Sequence, residues 1–459
     1  MISETIFNTN FEIDGPSNIS SSENSCLITS DKPLTIKLEI PEDSQVFWPN
    51  REGELLDSSS INKVLLQNEI QAASICYPAT ASMLFFIIYN KRSKEAIVLY
   101  SKPDEDGKIA FFSLNKGENN PHLQIDVSRI ELKIFSIKAD SFEDCVELFI
   151  KKNCHYSILP IREKISNYQV QLGFYTPYGK HNIPLSKGFD VCVDIAKLMK
   201  DNIGFDNIIH MFAYHGAHDS NYPEYYPSTE LGGREGLKKA IKGVHRERQR
   251  CSMYMNARLF SKELLETYPS LEDSIIVDSN GHRVIESYYD RDFYVMDPLS
   301  ENWRALLIER ASQLKELGVD IIQLDQIAGR AAIGPIGYKW GKGYRLLIED
   351  IEELGLEVWI QGINEIYPVN RFELCFRYPN ILSDGTVRGG QPFGISYPLI
   401  PTLLNTQNFI IPLGSQNLLN DVDSRNVTID LEHLPGELSI YSDQYLENLK
   451  MTLKKNKIQ

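Results

Sequence analysis

Residues 300–325 constrain the fold more tightly than any other stretch. Ser300 stands where a helix N-cap hydroxyl is wanted, and Trp303, Leu306, Leu307, Ala311, Leu314 and Leu317 share one stripe of the helix that follows. Gly318 sits where a left-handed residue ends a helix, and the run VDIIQLD continues at once as a strand apolar on both faces. A strand buried on both sides belongs in a parallel sheet covered by helices, which excludes an all-α or all-β chain. The same alternation recurs after residue 167. Strands are expected at Val170–Tyr175, Asn207–Tyr214, Cys251–Asn256, Val319–Asp325 and Glu357–Ile363, with a sixth at Phe409–Leu413. A helix over Gly236–Arg248 would bury Leu237, Ala240, Ile241 and Val244 and turn its basic residues to water.

Residues 1–165 have a different texture. Leu34, Ile36, Leu38 and Ile40 alternate with Thr35, Lys37 and Glu39, and Ile130, Leu132 and Ile134 alternate with Glu131 and Lys133. Short apolar runs at Met83–Tyr89, Ala96–Tyr100 and Ile109–Leu114 are separated by turn residues, the pattern of an antiparallel sandwich. A helix over Ser141–Lys152 would close this part, with Asp140 and Glu143 spaced as a capping box, and the polar stretch Asn153–Asn167 would connect it onward. The expected organisation is a sandwich-like domain over 1–165 followed by a (β/α)8 barrel over 166–459. An open doubly wound sheet is the alternative for the second part.

Charge and composition remove several functions. The 459 residues hold 47 Lys and Arg against 62 Asp and Glu, a formal charge of −15, so no nucleic-acid partner is expected. No apolar run reaches the roughly 18 residues of a membrane span, so none is expected. The N-terminus MISETIFNTN lacks a basic stretch followed by an apolar one, which points to the cytoplasm. Seven scattered cysteines (26, 76, 145, 154, 192, 251 and 375) form no CxxC pair and read as buried reduced thiols. Neither GxGxxG nor GxxxxGK[ST] nor GxSxG occurs, which removes nucleotide folds and the α/β-hydrolase elbow. Lys339 and Lys342 lie in a Gly-rich loop rather than at a strand end, a poor place for a Schiff base.

A barrel places its chemistry at the C-terminal ends of its strands. Parity puts Ile321, Gln323 and Asp325 on one face of their strand, and Gln361, Ile363 and Glu365 on one face of the next. Two carboxylates at successive strand ends suit glycoside cleavage, where one protonates the leaving oxygen and the other attacks or activates water. The plainer alternatives are an Asp325 that caps the following loop and a Glu365 bonded to backbone amides. The segment HMFAYHGAHDSNYPEYYP brings Tyr214, His215, His218, Asp219, Tyr222 and Tyr225 past the second strand, types that stack on sugars or bond their hydroxyls. His210, His215 and His218 do not have HxH or HExxH spacing, so no metal and no organic cofactor is expected. Asn256 and Arg258 end the third strand as sugar-binding candidates, with a rim salt bridge as the plainer role for Arg258. Asp384 and Arg388 are a further candidate carboxylate and partner, or parts of a Gly-rich turn.

The series YHGAHDSNYPEYYP, LGG before a helix, YMNARLF, DPLSENWR and GVDIIQLDQIAG resembles a bacterial family of glycosidase-like proteins. That family is related to the barrels of α-amylases and α-galactosidases and to endo-α-N-acetylgalactosaminidases. The resemblance spans roughly residues 170–370. It implies that Asp325 is the nucleophile of a retaining mechanism and that Glu365 is the acid/base. Gln323 departs from the amylase pattern, in which an Arg stands two residues before the nucleophile.

The expected function is therefore a glycoside hydrolase, or a transglycosylase of the same chemistry, acting on an oligosaccharide or glycoconjugate. His215, His218, Asp219, Asn256, Arg258 and Gln323 would hold hydroxyls, and the aromatics of Tyr222–Tyr225 would form a stacking wall. A carbohydrate-binding protein on a catalytically dead barrel is the second reading, and a histidine-based metallohydrolase the third.

Overall fold

The computed structural model describes residues 2–152 and 169–367 with short interruptions, of which 329–338 is the longest. Beyond these it describes only the strands Phe372–Glu373, Ile395–Ser396, Phe409–Pro412 and Val427–Asp430.

Two antiparallel sheets occupy the N-terminal part. One runs in the order Ile2–Ile6, Thr9–Asp14, Leu34–Glu39, His122–Val127, Ala110–Asn115, Ala72–Tyr77. The other contains Glu54–Asp57, Ser44–Trp48, Phe85–Asn90, Glu95–Tyr100, Ile130–Lys138, Ser25–Ser30 and Asn18–Ser21, with Ile395–Ser396 added at its edge. The period-two residues behave as expected: Leu34, Ile36 and Leu38 are buried, as are Leu132 and Ile134. The rings of Phe86 and Phe112, from different sheets, lie 4.8 Å apart, so the two faces share one core. The closing helix is Phe142–Lys152, and its cap differs from expectation. Ser141 Oγ accepts from Asp144 N at 3.1 Å, while Asp140 is drawn off to Lys94 at 2.8 Å. A neighbouring ammonium competes with the helix terminus for the aspartate, and the serine is left to do the capping.

From residue 169 the main sheet is parallel. The first five in chain order are Gln169–Gly173, Ile208–Phe212, Arg250–Asn256, Ile321–Asp325 and Glu357–Gln361. Phe372–Glu373 follows on the fifth, while Val427–Asp430 pairs with the first and Phe409–Pro412 with Val427–Asp430. Among the described residues eight parallel strands thus stand in one consecutive order.

The helix of the 300–325 unit spans Glu301–Leu317. Ser300 Oγ accepts from Trp303 N and Gly318 takes φ 100°. The helix Gly233–Arg246 buries the four residues expected of it. Two further helices, Val191–Ile203 and Trp340–Glu353, complete the described cover. The second is disguised by Gly341 and Gly343 near its start. A Cβ at Gly343 would come within 2.5 Å of the Pro298 carbonyl carbon, so close packing against that loop keeps the glycine there. A small antiparallel sheet, Leu259–Ser261, Arg291–Val295 and Ile285–Tyr288, is inserted after the third parallel strand. No described helix is long and apolar enough to cross a membrane.

Candidate functional site

Asp325 is the last residue of the fourth parallel strand and is only 7% exposed. Its neighbours in register explain how a carboxylate is tolerated there. Tyr254 and Asn256 sit two residues apart on the third strand, on the face that Asp325 shares. Tyr254 donates its phenol proton to Asp325 Oδ2 at 2.6 Å, and Asn256 Nδ2 lies 3.5 Å from the same oxygen. The other oxygen, Oδ1, accepts from the backbone N–H of Gln326 at 2.7 Å. Gln326 adopts φ 62°, a conformation unfavourable for a side-chain-bearing residue, and this turn aims its N–H back at the carboxylate.

A second layer of groups stands behind Tyr254. Tyr222 OH donates to Asp219 Oδ1 at 2.9 Å and lies 3.2 Å from Tyr254 OH, while His218 Nε2 is 3.1 Å from Asp219 Oδ2. A hydrogen-bonded series therefore runs from His218 through Asp219, Tyr222 and Tyr254 to Asp325. Burial, reinforced by the nearby Asp325 charge, pushes the Tyr254 phenol far above its ordinary range, so it stays a donor at any working pH. Burial does the same to Tyr222, with Asp219 adding to it. The loop carrying Asp219 is held in unusual backbone, with positive φ at Ala213, Asp219 and Asn221, and Arg291 Nη1 donates to the carbonyls of His218 and Asp219. Strained positions clustered around one carboxylate are characteristic of a built site.

The remaining sequence candidates divide sharply. Tyr214 is buried in the loop, its OH 3.4 Å from Tyr254 O, and His215 beside it is half-buried. His215 Nε2 is 3.2 Å from Ser220 O, and burial lowers its pKa to about 4, so it is neutral. Tyr222 and Tyr225 do not form an open stacking wall: both are buried, and Tyr225 OH exchanges hydrogen bonds with the Asn256 backbone. The apolar rings serve as the core of the loop because the loop folds back over the sheet. Arg258 has the rim salt-bridge role. Its guanidinium meets Glu286 at 2.6 Å and lies 5.1 Å from the Trp340 ring, out of solvent. Asn256 serves twice, since its Oδ1 also accepts from the N–H groups of Arg258 and Leu259. Gln323 is buried beneath Asp325, and its Oε1 finds no donor among the described residues. His210 bonds Ser252 at 2.9 Å inside the sheet.

Glu365 lies four residues beyond the end of its strand, past a turn, so strand parity does not reach it. Its Oε1 accepts from Leu84 N at 3.1 Å and its own N–H donates to Ser82 O, while Asn364 Nδ2 donates to Ala81 O. The loop after the fifth strand is thereby clamped to the N-terminal sandwich. Asp384 and Arg388 lie outside the described residues.

Among the described residues, one group of three metal-type ligands converges, His245, Cys251 and Asp320, with ligand atoms within 4.8 Å of one another. It lies at the opposite end of the fourth strand from Asp325. Asp320 Oδ2 is already held by His245 Nε2 and Cys251 N, and burial keeps the Cys251 thiol protonated, so the donor set suits a hydrogen-bonded knot better than an ion. Sequence reasoning overlooked Tyr254, although its parity with Asn256 on a strand ending beside Asp325 was available.

The model of a domain of unknown function, DUF6259, matches residues 181–338. No curated protein sequence matches the chain. Several solved structures are similar in fold. An α-N-acetylgalactosaminidase from Bifidobacterium bifidum aligns with TM-score 0.66 at 10% identity, covering 100% of this chain and 93% of the other. An α-galactosidase from Thermus thermophilus, in complex with p-nitrophenyl α-D-galactopyranoside, gives 0.55 at 12% identity, covering 98% and 88%. A GH36 α-galactosidase from Geobacillus stearothermophilus, in complex with raffinose, gives 0.56 at 11% identity, covering 98% and 67%.

Proposed function

We propose that the chain is a glycoside hydrolase, built as a sandwich-like domain over 1–165 and a (β/α)8 barrel over 166–459, that cleaves an α-linked galactose-type sugar. The observation that carries this reading is Asp325 itself. It is a carboxylate at the mouth of a parallel sheet, oriented through both oxygens, in a fold similar to α-galactosidases and an α-N-acetylgalactosaminidase.

In the proposed mechanism Asp325 attacks the anomeric carbon while Glu365 protonates the leaving oxygen, giving a glycosyl ester on Asp325. Glu365 then takes a proton from water, which displaces Asp325 with net retention. Tyr254 and the Gln326 N–H orient the carboxylate and stabilise the charge that returns to it on release of the sugar. Asn256 and Gln323 are the described sequence candidates placed on Asp325's own face, and a hydroxyl or amide N–H of the sugar would supply the donor that Gln323 Oε1 lacks among the described residues.

The test is a panel of aryl α-glycosides, α-D-galactopyranoside and its 2-acetamido analogue first, with wild type and Asp325→Asn followed by NMR. Cleavage by wild type alone with the α-anomer formed first is expected; a first-formed β-anomer would overturn retention. A carbohydrate-binding protein is the second reading, favoured by the engagement of Glu365 with the Leu84 amide. Glycan binding without turnover in the same panel would select it.

A further inference from the structure

With Tyr222 and Tyr225 buried, the aromatic surface that a glycan could meet lies elsewhere. Apart from Tyr226, which lies against the Arg310 guanidinium, two described tyrosines are largely in solvent, Tyr178 at 70% and Tyr289 at 54% exposure. They come from different loops, yet their rings meet with centroids 5.8 Å apart at 71°. The Tyr289 ring also lies 5.9 Å from the His218 imidazole, the outer end of the series that leads to Asp325.

The backbones that carry these rings are tied to the same point. Thr176 O accepts from His218 N at 3.3 Å and from Gly179 N at 3.0 Å, which fixes the short turn bearing Tyr178. Arg291 donates to the carbonyls of His218 and Asp219, which fixes the hairpin bearing Tyr289. In that hairpin Tyr288 pairs with Arg291, so Tyr289 and Asp290 alone make the turn, and Tyr289 takes φ 57°. Asn or Gly is the ordinary choice there, and a bulky ring is strained. The strained turn thus holds the Tyr289 ring against Tyr178 and the His218 imidazole, with more than half of it in water.

We propose that Tyr178 and Tyr289 form a binding platform for a second pyranose ring of the substrate, outside the sugar that reacts at Asp325. This rests on the glycosidase reading and deepens it: the substrate class is an oligosaccharide or glycoconjugate rather than a simple monosaccharide glycoside. Tyrosine faces pack on the axial C–H face of a pyranose while the phenol groups reach its hydroxyls. Three loops converging on His218 set the platform beside the site.

The test compares wild type with the Tyr178→Ala/Tyr289→Ala double variant on two probes, stachyose and p-nitrophenyl α-D-galactopyranoside. The expected result is a fall of about tenfold in the ratio of kcat/KM for stachyose to that for the aryl glycoside. An unchanged ratio overturns the platform. Tyr289→Gly separates folding from recognition, because it relieves the strained turn: it should melt no lower than wild type and still lose part of the ratio. If wild type cleaves neither probe, the glycosidase reading fails first, and stachyose titration followed by NMR decides the platform alone. Binding weakened about tenfold in the double variant supports it; equal binding, or none to wild type, overturns it.

Discussion

The fourth parallel strand begins just after one aspartate and ends on another, and their surroundings are opposite. Asp320 is held by His245 at 2.9 Å and by Cys251 N at 2.8 Å. Desolvation raises its pKa, but those bonds outweigh it and leave the pKa below the ordinary value, while the Asp320 bond raises the pKa of His245. The two side chains satisfy each other at the N-terminal end of the sheet. Asp325 meets a phenol, a carboxamide and a peptide N–H, neutral donors that orient its oxygens. Two aspartates five residues apart are thus given different work by what faces them. A fixed hydrogen-bonded pair holds elements together, whereas the oriented carboxylate at the strand end is the one that the proposed mechanism uses.

Substitution at each end should separate stability from activity. Asp325→Asn is expected to lower kcat by at least about a thousandfold, because the amide cannot form the glycosyl ester, with a melting temperature within a few degrees of wild type. Loss of fold together with activity would place Asp325 in the structural class beside Asp320. Tyr254→Phe should cost less, about ten- to a hundredfold in kcat/KM. Removing the donor frees the carboxylate to turn from its held orientation, so the loss should fall on kcat more than on KM. A loss confined to KM would show that the phenol only fills space. Asp320→Asn should have the reverse signature: a stability loss of about 1–3 kcal/mol with kcat/KM within about twofold of wild type.

Asp325 and Glu365 were not equally legible. The period of Trp303 to Leu317, the Ser300 cap and Gly318 located the 301–317 helix and the following strand almost to the residue, because each is a local signal. Asp325 followed from that strand's end. Glu365 did not follow in the same way, since its position depends on a turn after Gln361 and on the 81–84 loop some 280 residues earlier. Aromatic residue type likewise said nothing about burial. Tyr222, Tyr225, Tyr178 and Tyr289 are chemically alike, and only the folding of three loops onto His218 decides which pair is covered. The antiparallel insert 259–295 was missed because its strands are short and Leu259–Ser261 finds its partner only at the far end of the insert.

The smallest expected effect is the most specific test of the comparison, because it asks whether the lower aspartate works through charge. His245 has a raised pKa, chiefly from its hydrogen bond to Asp320, so the stability it contributes is complete below its unfolded value of about 6.5 and is lost as pH rises through the folded value. Asp320 has a lowered pKa, so its contribution is complete above about 3.8 and is lost as pH falls through the folded value. The pair therefore stabilises most between those limits. Both side chains are part-exposed, which screens the interaction and holds the change to about 1 kcal/mol or less. Melting curves between pH 5 and 9 should show wild type losing its margin over His245→Gln as pH rises. The pH–rate profile of the variant, set at the other end of the strand, should be unmoved. Parallel wild-type and variant melting curves would mean that Asp320 acts through its bond to Cys251 N alone, leaving the two ends to differ in geometry rather than in charge.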